Sequence, residues 1–196
     1  MYNLYVKILA LDISTKTGWA LFDLSKEIKL INYGLLTSKE VGIKYDDFND
    51  TSIELILKTV TNFNTLLLKT IAETKPDFIV VEQTNLGRQR IVQKLLEWLH
   101  FCCINTVRES TGKYPSFLDS SEWRKTVGLK LSKEDREHNK VIKKTKGRGK
   151  INKKHLAVRI ANEVFKNDLR DVLKIKDNDI ADAILLGLAF CKTKNK

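Results

Sequence analysis

The sequence has few of the residues that mark fibrous, linker-rich or membrane-embedded chains. Only two of its 196 residues are proline and nine are glycine, which excludes collagen-like chains and chains made mostly of linkers. The longest apolar stretches, such as residues 184–191, are far shorter than the ~20 residues that span a bilayer. No basic segment followed by an uninterrupted apolar core stands at the start, so we expect neither a secretory signal nor a membrane partner.

Cysteine and histidine are also scarce. There are three of each, and the cysteines show no metal-ligand spacing. The neighbouring Cys102 and Cys103 would form a strained bridge, and Cys191 stands in an apolar setting. We therefore expect a reduced intracellular protein, located in the cytoplasm. Three scattered histidines leave little material for a zinc site.

Positive charge is abundant and unevenly spread. The formal net charge is +11, from 35 Lys and Arg against 24 Asp and Glu. Residues 130–154 hold eleven of the cations and three acids, a net charge of +8, so the rest of the chain is nearly balanced. A basic segment on a balanced domain favours a polyanionic partner such as nucleic acid, although a solvated loop that keeps the protein soluble is the plainer interpretation.

Hydrophobic patterning predicts a mixed α/β fold. Apolar runs at 4–12, 17–23 and 28–37 with short turns between them predict an antiparallel meander. Helical periods and buried strands then alternate, and the predicted elements are helices at 52–75, 89–108, 153–165 and 178–191 with strands at 78–82 and 115–118. The sheet should therefore hold three antiparallel strands and then parallel ones, with helices on both faces.

The domain organisation follows from the same patterns. Residues 1–196 show no internal repeat and no second core-sized unit, so we expect a single domain. The stretch from Lys130 to Lys150 has no apolar periodicity and is predicted to be a loop. It forms a basic loop insertion at about 130–152.

Four acids stand where folding alone does not require them. Asp12 and Glu82 end predicted strands, while Asp179 and Asp182 share one face of an apolar helix. Clustered carboxylates repel one another, and divalent cations are the usual remedy. Each acid also has an ordinary explanation: a turn residue for Asp12, a partner for a nearby arginine for Glu82, and a first-turn acid for Asp179. Asp182, between two alanines in an apolar helix, is the hardest to explain in that way.

Four motifs together resemble the RuvC-like Holliday junction resolvases of the RNase H-like superfamily, in particular the shorter phage-type members. The motifs are Leu11-Asp12-Ile13-Ser14-Thr15-Lys16-Thr17-Gly18-Trp19-Ala20, Ile79-Val80-Val81-Glu82-Gln83, Ser121-Glu122-Trp123-Arg124-Lys125 with Gly128, and Asp177-Asn178-Asp179-Ile180-Ala181-Asp182-Ala183. They occur in the family's order and span nearly the whole chain. The resemblance implies an RNase H-like fold and a phage-encoded protein acting in a host cytoplasm.

The resemblance also implies a chemistry. Asp12, Glu82, Asp179 and Asp182 would be the catalytic residues and would bind two Mg²⁺ ions, with Mn²⁺ as a substitute. The protein would be an Mg-dependent endonuclease that resolves four-way DNA junctions by paired hydrolysis, leaving a 5′-phosphate and a 3′-hydroxyl. A homodimer would place two sites on symmetric strands, and the helix at 89–108, with Trp98 and Leu99, is the interface candidate.

The sequence departs from the bacterial resolvases at two points. Ile13-Ser14 replaces a glycine, and the stretch after Glu82 holds no aromatic residue to insert into a junction. Basic residues are the remaining candidates for DNA binding, and surface charge is their ordinary explanation. These candidates are Arg88, Arg90, Arg124, Lys125, Lys143, Lys144, Lys146, Arg148, Lys150, Lys153 and Lys154.

Three alternatives remain open at this point. The first is a nuclease of the same fold that acts on flaps, branched replication DNA or RNA–DNA hybrids. The second is a non-catalytic junction-binding protein, which the intact set of four acids disfavours. The third is an ASKHA-type nucleotide-binding protein, which is disfavoured because such folds need two domains of this kind and a longer chain.

Overall fold

The fold is organised around a five-stranded mixed sheet. The computed structural model describes residues 6–38, 50–83, 90–145 and 149–194. The strands are β1 (Lys7–Asp12), β2 (Lys16–Asp23), β3 (Lys29–Thr37), β4 (Phe78–Glu82) and β5 (Ser116–Leu118). They lie in the order β3-β2-β1-β4-β5, with the first three strands antiparallel and β4 and β5 parallel to β1. The predicted meander followed by parallel strands is confirmed.

Six α-helices are found within the described ranges. They are α1 (Asp50–Thr74), α2 (Arg90–Thr111), α3 (Ser120–Thr126), α4 (Lys133–Lys144), α5 (Lys153–Val164) and α6 (Asn178–Lys194), the last preceded by a 3₁₀ turn at Ile175–Asp177. None of the described helices is long and apolar enough to cross a membrane. Four of the six were predicted to within a few residues of their observed ends.

The sheet separates two hydrophobic cores, one on each face. Along β1, Ile8 and Ala10 pack on the face covered by α6, α5 and Trp123, whereas Leu9 and Leu11 pack on the face covered by α1 and α2. Successive side chains of a strand point to opposite faces, so one central strand contributes to both cores. Helices therefore cover both faces, as predicted.

Helix α6 lies directly on the sheet and is buried along most of its length. All residues from Ala183 to Cys191 are buried, so the helix has no polar face there. Its approach is close: a Cβ atom added at Gly187 would lie 2.1 Å from the ring of Phe22 and 3.0 Å from the Cβ of Ala10. Only a residue without a side chain fits this crossing.

The prediction of a loop at 130–152 is wrong over residues 133–144, which form helix α4. Ser132 and Asp135 form a reciprocal capping box at its start. Asp135 is buried and accepts two hydrogen bonds from Arg159 of α5, at 3.0 and 2.7 Å. The Asn139 amide donates to the Ile151 carbonyl and accepts from the Ile151 N–H. Polar contacts at specific positions hold this helix, so apolar periodicity gave no signal for it.

A second close approach places α6 against the start of β2. Gly18 pairs with Asp12 in the β1–β2 ladder, and a Cβ atom added at Gly18 would lie 1.8 Å from the carbonyl oxygen of Asp179. The first turn of α6 is therefore seated on the strand residue opposite Asp12. The absence of a side chain at Gly18 makes that contact possible.

We predict that Gly18→Ala destabilises the protein by about 2–3 kcal/mol, because the added methyl group must displace the backbone of α6. Urea denaturation measures the loss. Gly34→Ala on the neighbouring strand is the matched control, since its added Cβ meets only the indole of Trp19, at 2.9 Å, and a side chain can shift. Equal losses in the two variants would contradict the proposed seating of α6.

Candidate metal and nucleic-acid site

Two of the predicted acids stand side by side at one edge of the sheet. Asp12 is the last residue of β1 and Glu82 the last of β4. These strands are parallel, and their last paired residues are Leu11 and Val81, so the two acids occupy the next register position. The carboxyl ends of parallel strands meet at one edge, and the topology therefore brings the two side chains together, as predicted.

The other two acids reach this edge from the first turns of α6. Asp179 is held beside Asp12 by the contact of its backbone with Gly18, and the amide of the buried Asn178 donates to Asp179 Oδ1 at 2.6 Å. Asp182 lies three residues further along the helix, on the same face. All four acids are thus gathered at the carboxyl ends of β1 and β4.

The pKa values of the acids reflect this proximity. Burial raises the pKa of Asp12 well above its usual range, and the charges of Asp182, Glu82 and Asp179 raise it further. Burial likewise raises the pKa of Asp182 to about 6, where the Arg124 charge opposes the rise and the charges of Glu82 and Asp179 add to it. The four carboxylates therefore influence one another across a partly desolvated region.

Three side chains fix Glu82 in place. The indole Nε1–H of Trp123 donates to Oε2 at 3.1 Å, and the Arg124 guanidinium donates from Nη2 to Oε1 at 3.3 Å. His100 of α2 is buried, with Nε2 3.2 Å from the Glu82 carbonyl oxygen and Nδ1 2.8 Å from the Leu96 carbonyl oxygen. Burial raises the pKa of Glu82, while Arg124 and the Trp123 hydrogen bond lower it.

Sequence reasoning missed part of this arrangement. Trp123 appeared only as a motif residue and Arg124 only as a candidate DNA contact, whereas both hold Glu82 from the short helix α3. That helix is capped by Asp119, whose carboxylate accepts from the N–H groups of Ser121 and Glu122. The signal available in the sequence was an adjacent Trp-Arg pair next to a helix cap.

The donor chemistry of the cluster fits a hard divalent cation. The four side chains offer only carboxylate oxygens, the ligands that Mg²⁺ and Mn²⁺ prefer. Within the described ranges, however, no group of three acidic, histidine or cysteine side chains is arranged to hold an ion as it stands. The donor type fits, and the side chains would have to converge further to share a metal.

The candidate DNA-binding residues that the structure describes lie on four helices or just before one of them. Lys143 and Lys144 end α4, and Lys150, Lys153 and Lys154 stand at the start of α5, where the charge of Lys154 reaches Asp182. Arg124 and Lys125 lie on α3. Arg90 begins α2, and Arg88, Lys146 and Arg148 lie outside the described residues. Among the described lysines of this set, Lys154 lies near enough to Asp182 for its charge to lower the pKa of that acid.

Comparison with known proteins shows a likeness at the level of the fold. No family model and no curated protein sequence matches the chain. Among solved structures, Thermus thermophilus RuvC in complex with a Holliday junction substrate superposes with a TM-score of 0.63 at 10% identity, covering 97% of this chain and 96% of that one. A second Thermus thermophilus RuvC structure gives 0.62 at 12% identity, with the same coverage.

A eukaryotic protein shows a weaker likeness. The yeast mitochondrial Holliday junction resolvase Ydc2 superposes with a TM-score of 0.51 at 14% identity, covering 97% of this chain and 80% of that chain. Together the superpositions establish the fold class, an RNase H-like α/β fold. More narrowly, the chain has the arrangement seen in RuvC over nearly its whole length. The fold that the resemblance implied is confirmed.

We predict that the metal-free protein is more stable at pH 5 than at pH 7.5. The pKa of Asp182 is about 6 in the folded state and near 3.8 in an unfolded chain, so the folded state binds the proton more tightly. The penalty of ionising it is present above pH 6 and is relieved as the pH falls from 6 towards 3.8. Thermal melting in EDTA at both pH values measures the change in stability. The difference between the two melting temperatures should be smaller in Asp182→Asn than in wild type. If the variant shows the same difference in melting temperature as wild type, the raised pKa does not belong to Asp182.

Proposed function

We propose that the chain is a metal-dependent, structure-selective endodeoxyribonuclease that resolves four-way DNA junctions. The convergence of Asp12, Glu82, Asp179 and Asp182 at one edge of an RNase H-like sheet is the observation that carries the proposal. The fold likeness to RuvC, solved with a Holliday junction substrate, supports the choice of substrate. The products would be a 5′-phosphate and a 3′-hydroxyl.

In this proposal the four carboxylates hold two Mg²⁺ ions, or Mn²⁺ in their place. Bound ions of this kind supply an activated water and stabilise the charge that develops on the leaving oxygen. The chain's own residues would position the ions. Asp12 and Asp182 would bind them at the middle of the site, and Trp123 keeps the Glu82 carboxylate in one orientation. Lys154, whose charge reaches Asp182, would contact the scissile phosphate.

The basic surface next to the cluster would hold the DNA backbone. Lys150, Lys153 and Lys154 lead directly into α5, and the last turn of α4 adds Lys143 and Lys144. Between residues 138 and 154 the sequence has no acid, so this segment carries charge of one sign. Backbone contacts of this kind position a duplex without reading its sequence.

A homodimer would supply the two active sites that paired cleavage requires. An apolar groove of about 530 Å³ lies between α1 and α2, and its walls include Val60, Trp98 and Phe101. Phe101 is 66% exposed, and Leu57 on α1 is 51% exposed. Large apolar side chains exposed on neighbouring helices favour contact with a second protein surface. We propose that this α1–α2 face joins two copies of the chain.

We predict that Asp182→Asn reduces junction cleavage by at least about 100-fold, since divalent ions supply several kcal/mol of transition-state stabilisation. Binding of the junction should be retained, because the substitution leaves the basic residues of α4 and α5 unchanged. The assay uses a synthetic four-way junction with Mg²⁺, Mn²⁺ or EDTA. Asp171→Asn is the matched control, since it makes the same chemical change at an exposed acid away from the cluster.

The same assay tests the substrate and the class of protein. A flap, a linear duplex and an RNA–DNA hybrid are compared with the junction under identical conditions. Equal cutting of flaps or hybrids would replace the resolvase assignment by that of a less selective nuclease. Wild-type protein that binds the junction but never nicks it would leave a non-catalytic binding protein.

We also predict that the end of α4 contributes to DNA affinity through charge alone. Lys140, Lys143 and Lys144 are exposed on this helix, and each phosphate contact adds about 0.9 to the salt slope of duplex binding. Changing all three to glutamine should lower that slope by up to about 3. Fluorescence anisotropy at several salt concentrations measures it, with thermal melting to verify the fold. An unchanged slope would exclude α4 from the interface.

A further inference from the structure

The carboxylate of Glu82 is held at both of its oxygens by two neighbouring residues of α3. Trp123 donates its indole N–H to Oε2, and Arg124 donates from its guanidinium to Oε1. Of the four acids, Glu82 is the one with an ion pair to an arginine in the described part of the chain. One carboxylate oxygen of Glu82 thus accepts from a neutral donor, Trp123, and the other accepts from a charged donor, Arg124.

Trp123 is a rigid donor because its ring belongs to the hydrophobic core. Only 1% of the residue is exposed, and it packs among the residues that join the sheet to α6. Its indole nitrogen is its single polar side-chain atom, and that atom donates to Glu82. The orientation of Glu82 is therefore set by the packing of the core.

Arg124 is a partly exposed donor by comparison. Its side chain is 26% exposed, and the guanidinium lies over the Trp123 ring, 4.8 Å from the centroid. Its charge also acts on Asp12 and Asp182. A cation therefore lies among carboxylates that repel one another, in a cluster whose acids are not arranged to share a metal ion as they stand.

We propose that Trp123 and Arg124 are opposed positioning residues of the metal site. Trp123 holds Glu82 in the orientation that binds metal, whereas Arg124 is an internal countercation that leaves Oε1 when a divalent ion binds. The inference rests on the proposed metal site. It does not require that the protein cut DNA.

The two roles predict effects of opposite sign on metal affinity. Arg124→Gln removes a competing positive charge, so Mn²⁺ should bind about 10-fold more tightly. Trp123→Phe keeps an aromatic ring but loses the N–H donor, so Mn²⁺ should bind about 10-fold more weakly. If Trp123 and Arg124 only stabilised the fold, both substitutions would weaken Mn²⁺ binding.

Stability without metal provides a second readout. In EDTA, Arg124→Gln leaves the carboxylates uncompensated, and its melting temperature should fall by several degrees. Saturating Mn²⁺ should remove most of that difference. Arg124→Lys keeps the charge and should remain near wild type in both measurements.

The experiment is isothermal titration of Mn²⁺ into the full chain, with melting in EDTA and in Mn²⁺. Lys125→Gln is the matched control: it makes the same charge change one residue away on an exposed position, and should alter neither metal affinity nor melting. If Arg124→Gln behaves like Lys125→Gln, or binds Mn²⁺ more weakly than wild type, the countercation role is wrong. If Trp123→Phe binds as tightly as wild type, the positioning role is wrong.

Titration of wild type and Asp182→Asn separates this inference from the proposed function. Wild-type protein that binds no Mn²⁺ overturns both. Wild-type protein whose Mn²⁺ binding is lost in Asp182→Asn, but is unchanged in Arg124→Gln and Trp123→Phe, overturns only the inference.

Discussion

The contact between the first turn of α6 and the sheet is the constraint on which the site depends. Asp179 meets Gly18 through its backbone, and Gly18 is the strand partner of Asp12. A second close crossing at Gly187 keeps the rest of the helix flat against Phe22 and Ala10. Because the helix lies against the sheet at both points, its acids are brought to the strand ends, where they are only partly exposed.

Bringing four acids together carries an electrostatic cost that the structure only partly offsets. Burial and mutual repulsion raise the pKa values of Asp12 and Asp182, and one guanidinium lies among them. Further cations stand at the end of α4 and the start of α5, among them Lys154, whose charge acts on Asp182. This separation of charge fits the proposed function, in which the carboxylates hold cations and the lysines hold a phosphate backbone.

Sequence reasoning succeeded where a regular pattern repeats and failed where individual polar contacts decide. The alternating strands and the apolar periods of α1, α2 and α6 were predicted, because burial on one or both faces imposes that periodicity. Helix α4 was missed, since its stability comes from the Ser132 cap and from the bond between Asp135 and Arg159, 24 residues away. The spacing of apolar residues along a short stretch of sequence does not indicate an ion pair between distant residues.

The candidate site also has one part that local sequence patterns predicted and another that they did not. The sequence by itself determined that acids end two buried strands and share one helical face, because strand and helix periods are local properties. Only the tertiary structure decided that Trp123 and Arg124 hold the two oxygens of Glu82, and that Gly18 seats Asp179. These contacts join residues 41 positions apart and more, and their geometry follows from how helices pack on the sheet, which no local sequence pattern encodes.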